Sequence, residues 1–525
     1  MAPIPCDFHV CEDTYLLTEA AICCFDDMKA KESMKSFRTR VGRVGCIVAL
    51  ALGGLGVHAA AEEDSSQREQ DLMALIESLR ERVTALEAQQ AVSNETEDGS
   101  LDKRVEALET AVDQKEALRD DDFRVYWKKS LRLETGDGQA KLKLGGQIHN
   151  DWYWYGQDHS FRDITDQEDG TELRRARVYV SGTLYENLRF KAQYDFADGD
   201  ADFKSVWIEL TKVPGVQNIR VGQFKEPFSL EERVADNDMT FMERALPNAF
   251  APSRNTGAMV HGAYLGEPGE ARLTTALGVF RTTDSYGNDA TDGGYAGTAR
   301  VTGLPWYEDG GRRLLHLGLG YTHRNVGDTL RIRQRPESHG ADRLVDTGNM
   351  NVHDMDAGVV EAALVYGPFS LQGEYFLNHV NTADRGDRDF DGFYVQASYT
   401  LTGEHRPYKN SEGEFGRILP RNNFRIHGDE RGWGAWEIAL RYSAIDLDDG
   451  HTRFTDRLLD LSREIRGGEE QNLTVGLNWY LNPNSRVMLN YIHANIENNN
   501  LGTGRFWRDG DYDLDILQSR FQVTF

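Results

Sequence analysis

Residues 141–155, KLKLGGQIHNDWYWY, decide the fold, because apolar and polar side chains alternate along them. Successive side chains of a β-strand point to opposite faces, so a period of two predicts a strand with one apolar and one polar face. The residues of the apolar face are Leu142, Leu144, Ile148, Trp152 and Trp154. The opposite face carries lysine, glutamine, histidine and aspartate, which indicates contact with water on that side.

The same alternation recurs up to the last residue of the chain. The apolar faces of two further segments are Ala176, Val178, Val180 and Leu184 in RRARVYVSGTLY, and Leu517, Phe521, Val523 and Phe525 in LQSRFQVTF. Segments of this kind, each about 9 to 12 residues long, number about sixteen. An even number allows the first and last strands to pair and close the sheet.

Connections between these segments are of two kinds. Short turns are expected at 185–187, 213–215, 267–269, 367–368 and 482–484, and long polar connections at 160–171, 284–295 and 325–356. This asymmetry is typical of outer-membrane barrels and not of a soluble sandwich. Tryptophan and tyrosine recur near strand ends, where they would lie at the lipid headgroups. The sequence therefore predicts an all-β fold, a 16-stranded antiparallel transmembrane β-barrel over residues 120–525, in the outer membrane of a Gram-negative cell.

Composition fits this interpretation but does not establish it. The 525 residues have a mean hydropathy of -0.57 and a net charge of -26, values that an acidic soluble protein would also show. Alternating strands keep a barrel's mean hydropathy low. The negative charge argues against nucleic acid as the main partner. All five cysteines lie within the first 46 residues, so the remainder can form neither a disulfide framework nor a cysteine-ligated zinc site.

Two segments at the N-terminus are interpreted as absent from the mature protein. Residues 1–33 lie upstream of a good start at Met34 and are interpreted as a start-site extension. Residues 34–61 combine basic residues, the apolar stretch 44–57 and small residues ending at Ala61, which predicts a cleaved secretory signal peptide. A membrane anchor is the alternative, but a span needs about 20 apolar residues.

Residues 62–119 show a different, helical period. Apolar residues spaced alternately four and three apart are Leu72, Ile76, Leu79, Val83 and Leu86, followed after a polar break by Leu101, Val105, Leu108 and Val112. This spacing predicts a short N-terminal α-helical coiled coil, and hence a homo-oligomer. A single amphipathic helix packed on its own domain is the alternative.

Several segments between residues 140 and 525 resemble the phosphate-selective porins O and P. They are LRRAR at 173–177 with SGT at 181–183, VGQFKEPF at 221–228, FMER at 241–244, HLGLGY at 316–321, LTGE at 401–404 with RPY at 406–408, GAWE at 434–437 with RY at 441–442, and LNWYLN at 477–482. Their number and order identify the chain as a member of this family. The resemblance implies a homotrimer of 16-stranded barrels whose arginine-lined pores select anions, with phosphate or polyphosphate as the substrate of the best-known members.

The first candidate site is the segment RIRQR, which carries Arg331, Arg333 and Arg335. If it is extended, the three guanidinium groups lie on one side, about 6.6 Å apart, so that an oxyanion could pass between them. Arginine suits this chemistry because its planar fork donates paired hydrogen bonds to phosphate oxygens. The family resemblance implies that this loop folds into the pore as an arginine ladder. A basic surface loop that binds lipopolysaccharide is the alternative.

A second candidate group lies on the first strands. Alternation places Arg175 and Arg177 in the lumen and Arg174 on the lipid side, unless the strand begins after Arg174. Arg189 and Lys191 would line the wall of the next strand. These charges could instead be solvated wall residues with partners of opposite sign. Beyond Arg335, the ladder has only Arg343, and Glu337 intrudes with a negative charge, which argues against strict phosphate selectivity.

Catalytic and metal-binding motifs give little support to other functions. The patterns G-x-S-x-G, H-E-x-x-H and G-x-x-x-x-G-K-[ST] do not occur, so neither an enzyme activity nor a cofactor is expected. His316 and His323 fall in an alternating strand and are interpreted as wall or girdle residues. Acidic stretches such as 163–169 and 446–449 lack the calcium-loop spacing and are interpreted as solvated loops.

Three classes of function remain open. They are a passive channel for phosphate or other small anions, either selective or general, an envelope tether acting through the coiled coil, and a barrel enzyme of the phospholipase type. Outer-membrane lipid and lipopolysaccharide are the other expected partners.

Overall fold

The computed structural model describes residues 123–157, 165–197, 199–267, 269–288, 294–327, 329–384, 386–426, 431–449, 465–497 and 511–525. The strands are β1 (Phe123–Trp127), β2 (Leu131–Thr135), β3 (Ala140–Gln157), β4 (Gly170–Leu184), β5 (Leu188–Asp195), β6 (Asp202–Val213), β7 (Gln217–Lys225), β8 (Arg254–Tyr264), β9 (Leu273–Arg281), β10 (Tyr295–Glu308), β11 (Arg313–Asn325), β12 (Thr329–Leu330), β13 (Arg333–Gln334), β14 (Val345–Asp346), β15 (Met350–Tyr366), β16 (Phe369–Thr382), β17 (Gly386–Thr400), β18 (Tyr408–Lys409), β19 (Glu414–Phe415), β20 (Ala435–Asp449), β21 (Ile465–Asn482), β22 (Ser485–Glu497) and β23 (Asp511–Thr524). A helix of four residues, α1 (Leu230–Arg233), and two 3₁₀ turns, Leu246–Phe250 and Asp309–Gly311, complete the described elements.

Sixteen of the described strands form one closed antiparallel sheet. They are β3 to β11, β15 to β17 and β20 to β23, each paired with the next in this order. The last strand pairs with the first, from Leu514 opposite Gln157 to Thr524 opposite Gln147. The predicted 16-stranded barrel is therefore confirmed.

Burial along the strands follows the predicted alternation. The apolar faces point outward, where Ile148, Val178 and Phe521 are 47%, 49% and 53% exposed. The opposite faces point into the lumen, where His149, Arg175 and Arg520 are buried. Because lipid covers an outward apolar face and water or protein covers the lumen, this arrangement suits a membrane barrel.

The two ends of the barrel differ in their connections. One end, here called the turn end, carries the predicted turns between β4 and β5, β6 and β7, β8 and β9, β15 and β16, and β21 and β22. The other end, the loop end, carries most of the long connections. Two connections break the predicted asymmetry: residues 401–434 form a long connection at the turn end, and residues 383–385 form a short one at the loop end.

Three long connections contain segments that fold into the lumen. They are here called the first inward segment (residues 226–253), the second inward segment (329–349) and the third inward segment (401–426). The first two enter from the loop end, and the third enters from the turn end. Their buried apolar side chains, such as Phe228, Leu246, Leu344 and Phe415, pack against lumen-facing residues of the wall.

The N-terminal predictions fall on residues that the structure does not describe. The start-site extension (1–33), the signal peptide (34–61) and the coiled coil (62–119) all lie outside the described residues. Among the helices of the described part, none is long and apolar enough to cross a membrane.

Phe525 packs against Gly146 of β3 and is hydrogen-bonded to it. The backbone of Phe525 exchanges two hydrogen bonds with Gly146, at 2.8 and 3.1 Å. A Cβ atom added to Gly146 would lie 2.5 Å from the Phe525 ring and 2.6 Å from the Arg177 carbonyl oxygen. Position 146 therefore requires glycine if Phe525 is to keep its place.

Gly146→Ala is expected to lower the yield of folded barrel, because overpacking of this kind costs about 1–3 kcal/mol. The measurement is the fraction of refolded protein that migrates as the compact barrel in electrophoresis without heating. Gly297→Ala is the matched control, since Gly297 also lies in a barrel strand and its added Cβ would meet nothing within 4 Å. Equal yields for the two variants would contradict a packing role for Gly146.

Candidate functional site

The first inward segment crosses the lumen from β7 and β8 to the opposite wall. Its backbone carbonyl groups accept hydrogen bonds from wall side chains, including Asn478 on β21, Arg486 on β22 and Arg520 on β23. At its start, the Ser229 hydroxyl caps α1 by accepting from the backbone N–H of Glu232. In the ring of sixteen strands, β21, β22 and β23 lie eight, seven and six strands from β8, so the segment reaches across the lumen and divides it.

Carboxylates of this segment bind the arginines of β4. Glu243 pairs with Arg174 at 2.9 and 3.1 Å. Asp236 lies 3.2 Å from Nε of Arg175 and also binds Arg177. Arg177 is held from the other side by Asp195 on β5 at 2.6 Å. These three arginines therefore fix the first inward segment to the wall.

The expected lipid-side position of Arg174 is wrong. The register between β3 and β4 shifts at this point, so that Asn150 faces Leu173 and His149 faces Arg175. Arg174 is the extra residue of this β-bulge, and a bulge re-aims the side chain that it carries. Its guanidinium group reaches Glu243 in the lumen, while Leu173 points outward and is 54% exposed.

The electrostatics of Asp236 show how firmly the segment is held. Burial by itself would raise the pKa of Asp236, but the guanidinium groups of Arg175, Arg177 and Arg244 outweigh it. They hold the pKa of this carboxyl well below its usual range. Asp236 therefore stays ionised in the folded protein and ties these cations to one point.

Arg189 and Lys191 both face the lumen from β5, as alternation predicts, but their surroundings differ. Arg189 is 44% exposed and lies 2.9 Å from Glu209 on β6. The Lys191 ammonium group lies 5.4 Å from the ring centre of Tyr179, and that of Lys143 lies 5.0 Å from it. The other cationic neighbours of Lys191 are Arg177, Arg220 and Arg254. This part of the wall is a cationic patch, here called the lysine patch.

Glu337 anchors the second inward segment. Its carboxylate binds the Arg441 guanidinium group and accepts hydrogen bonds from Ser443 at 2.5 Å and Thr474 at 2.8 Å. Gln518 donates to the backbone carbonyl of Glu337 at 3.1 Å. The negative charge that intrudes in the sequence is thus bound by the wall, on the side of β20 and β21.

Arg331, Arg333 and Arg335 lie together on the second inward segment, and Arg343 is an electrostatic neighbour of all three. Arg331 and Arg333 are exposed, and Ile332 between them is buried, as expected of an extended chain. Arg331 forms a bidentate salt bridge with Asp346, with N···O distances of 2.7 and 2.5 Å. These four arginines are here called the guanidinium cluster.

Burial and the neighbouring charges of Arg335 and Arg333 lower the pKa of Arg343. The shift shows that like charges crowd the cluster. Arg335 donates to the backbone carbonyls of His339 and Ala341, both at 2.6 Å. Because both acceptors are neutral carbonyl groups, they fix the orientation of the guanidinium group and do not pair it with a carboxylate.

A histidine–glutamate contact joins the second inward segment to β4, the strand of the other candidate arginines. His339 lies 2.8 Å from Glu172 on β4, two residues before Arg174. The structure thus brings both predicted groups to the same side of the barrel. They differ in charge balance, because the β4 arginines are paired with carboxylates, whereas Asp346 is the one ion-pair partner of the cluster among the described residues.

The third inward segment was missed in the sequence. It meets the first segment at Asp238, which lies 3.1 Å from Lys409 and 3.6 Å from Arg417. Arg233 on α1 pairs with Glu412 at 3.4 Å. The resemblance segment RPY at 406–408 marked this region, but its charge pattern alone does not distinguish a lumen segment from a periplasmic turn.

A closed sixteen-stranded barrel with outward apolar faces and a charged, partly filled lumen defines a channel of the outer membrane. The sequence model of one family matches residues 142–525. The chain belongs to this family, the phosphate-selective porins O and P, as the sequence resemblance indicated.

The chain is also similar to individual proteins. Porin O of Pseudomonas aeruginosa is 28% identical over 437 residues, which cover 77% of this chain and 93% of that protein. An uncharacterized protein of Caulobacter vibrioides is 27% identical over 416 residues, covering 76% of this chain and 77% of that protein. Among solved structures, the anion-selective porin from Comamonas acidovorans has a TM-score of 0.44 and 12% identity, covering 74% of this chain and 100% of that one.

Proposed function

We propose that this channel conducts small anions passively across the outer membrane, phosphate or polyphosphate among them, and that the guanidinium cluster selects them. The observation that supports the proposal is the crowding of Arg331, Arg333, Arg335 and Arg343 on one inward segment, with Asp346 as the paired carboxylate. Crowded like charges repel each other, and a multivalent anion relieves that repulsion. Two-pronged hydrogen bonding by arginine favours phosphate oxygens in particular.

The lysine patch supplies a second station in this proposal. Lys143 on β3 and Lys191 on β5 both contact the Tyr179 ring, and the main electrostatic neighbours of Lys191 are other cations, Arg254 among them. Conduction requires several moderate binding sites in series, because an ion in a single deep site would not leave. The β4 arginines act mainly as anchors of the first inward segment, and contribute to the field of the pore through their positive charge.

A general small-solute porin is the second candidate, and one observation favours it. Arg174, Arg175, Arg177 and Arg189 all have carboxylate partners. Much of the lumen charge is therefore balanced, which reduces the preference for anions. A tether acting through the predicted coiled coil would depend on residues outside the described part of the chain.

Planar-bilayer conductance tests the proposal. Phosphate added to a chloride solution is expected to block the chloride current of the wild type. In Arg331→Ala/Arg333→Ala/Arg335→Ala, the half-blocking phosphate concentration is expected to rise by at least roughly ten-fold, since hydrogen bonds to charged groups contribute about 1.5–3 kcal/mol each. Arg313→Ala is the control, because Arg313 is a similarly exposed, paired arginine at the turn end. A wild-type current that is cation-selective and indifferent to phosphate would exclude the selective channel.

The assembly proposed for this channel is a homotrimer, with the outward apolar faces against lipid, lipopolysaccharide or neighbouring copies. The heptad spacing of residues 72–86 and the family resemblance support self-association. The mass of the detergent-solubilised protein, measured by light scattering with the detergent subtracted, gives the number of chains.

A further inference from the structure

A group of three metal-ligating side chains lies on the outward face at the loop end, away from the lumen. His323 on β11 faces Asp356 on β15 in the strand register, and Asp354 lies two residues before Asp356. Alternate residues of a strand share a face, so both carboxylates lie on the side of the imidazole. One ligand atom from each residue lies within 4.8 Å of the other two.

The charges of this group favour a cation. His323 Nδ1 lies 2.9 Å from Asp356, and Asp354 is contacted at 3.4 Å by the neutral amide of Asn381. In the described part of the chain, neither aspartate forms an ion pair with a lysine or arginine. His379 faces Asp356 from β16, but its imidazole contacts Asp389 at 2.8 Å. Asp356 alone is sufficient to bind His323. The carboxylate of Asp354 adds electrostatic repulsion with Asp356, and a divalent cation between them would offset that repulsion.

We propose that His323, Asp354 and Asp356 form a binding site for a divalent transition-metal ion of the Zn²⁺ class. An imidazole among the ligands favours such an ion over Ca²⁺ or Mg²⁺, which prefer oxygen ligands. At metal–ligand distances near 2.0–2.2 Å, neighbouring ligand atoms are about 3.3 Å apart. Asp354 would therefore move toward the other two ligands by at most about 1.5 Å. His323 and Asp356, which are now 2.9 Å apart, would separate slightly. His323 and Asp356 are 46% and 35% exposed, which gives their side chains room for this movement.

Two features prepare the site for binding. The ligands stand on neighbouring barrel strands, whose backbone ladder fixes their spacing, and strand-borne sites hold their geometry better than loop-borne ones. The Tyr321 hydroxyl donates to Asp356 at 2.5 Å and orients its carboxylate. Both strands also lead directly into the second inward segment, because β11 ends at Asn325 and β15 begins at Met350.

The chain contains a similar group that lacks the converging geometry. Tyr491 and His493 on β22 contact Asp515 on β23 at 2.7 and 2.9 Å, just as Tyr321 and His323 contact Asp356. The second carboxylate, Asp513, lies 4.0 Å from the other imidazole nitrogen, Nε2. The two aspartates therefore approach opposite edges of the ring and do not meet at one point.

Calorimetric titration of the purified, detergent-solubilised barrel with Zn²⁺ tests the proposal. His323→Ala and Asp354→Asn are each expected to bind one Zn²⁺ fewer per chain, or that ion at least ten-fold more weakly. Wild type, His493→Ala and Asp513→Asn are expected to bind alike, and millimolar Mg²⁺ is expected not to displace the ion. Compact migration in unheated electrophoresis confirms that each variant is folded.

Asp354→Asn is the decisive variant, because it leaves the His323–Asp356 pair intact. Zn²⁺ binding equal to wild type in this variant would overturn the site and leave only a histidine–aspartate hydrogen bond. Equal losses in the His493→Ala control would overturn it too, since both would then reflect surface histidines in general.

Discussion

Glu337→Gln is expected to weaken the phosphate block roughly ten-fold, although it removes a negative charge from a channel proposed to select anions. The Glu337 carboxylate is buried and binds Arg441, Ser443 and Thr474. Breaking a buried ion pair by removing one partner costs about 3–5 kcal/mol. The lost anchor would release the second inward segment, and with it the guanidinium cluster, from the wall.

Asp346→Asn is the matched comparison, because it removes a negative charge from the same segment. Asp346 pairs with Arg331 itself, so its loss is expected to free that guanidinium group and strengthen the phosphate block. Both half-blocking concentrations come from the same bilayer titration. If net charge alone governs the block, both variants will strengthen it, and the anchoring role of Glu337 will be disproved.

Asp236→Asn is expected to give a larger and less steady single-channel conductance at neutral pH. The exchange leaves Arg175, Arg177 and Arg244 without their shared carboxylate, at a cost of about 3–5 kcal/mol for the buried charges. The first inward segment would then leave its place across the lumen for part of the time. The closed sheet does not depend on Asp236, so the barrel itself is expected to remain folded.

The pH dependence of the wild type provides a second measurement of the same anchor. The pKa of Asp236 is lower in the folded protein than its ordinary value, so its stabilising effect is complete at and above the ordinary aspartate range. That effect is lost only as the pH falls through the lowered pKa. Wild-type conductance is therefore expected to stay constant from pH 7 to about pH 5, and to become unsteady only in stronger acid.

The control for this variant is Glu186→Gln, which removes an exposed carboxylate paired with Lys212 at the turn end. It is expected to conduct like the wild type. An unchanged conductance in Asp236→Asn would mean that the carbonyl contacts of Asn478, Arg486 and Arg520 hold the segment without help from this ion cluster.

The barrel could be predicted from the sequence because its rule is local. Lipid on one side and the lumen on the other impose a period of two, so each strand can be recognised by itself. The position of Arg174 could not be predicted in this way, because a single inserted residue reverses the alternation without a signal in the side chains around it. The long connection at residues 401–434 could not be predicted either, because connections at that end of an outer-membrane barrel are generally short.

The site was only partly predictable, because its contacts are not local. The guanidinium cluster could be found from its spacing, since three of its four members stand within five residues. The partners of Glu337 could not be predicted from the sequence. Arg441 lies 104 residues away and belongs to a strand whose lumen face also carries neutral residues. Whether a charged residue serves as an anchor or as a binding group depends on such distant partners.

The edge of β3 opposite β4 is shared by two strands placed end to end. β23 pairs with β3 from Gln157 to Gln147, and β2 pairs with β3 from Leu144 to Lys141. Gly146, which is hydrogen-bonded to Phe525, lies between these two stretches. β23 and β2 run in the same direction, so Leu131 follows Phe525 in space almost as the next residue of one strand would. A peptide tag fused after Phe525 could not extend the sheet, because β2 already holds those positions. It would have to turn away from the barrel wall or displace the hairpin of β1 and β2.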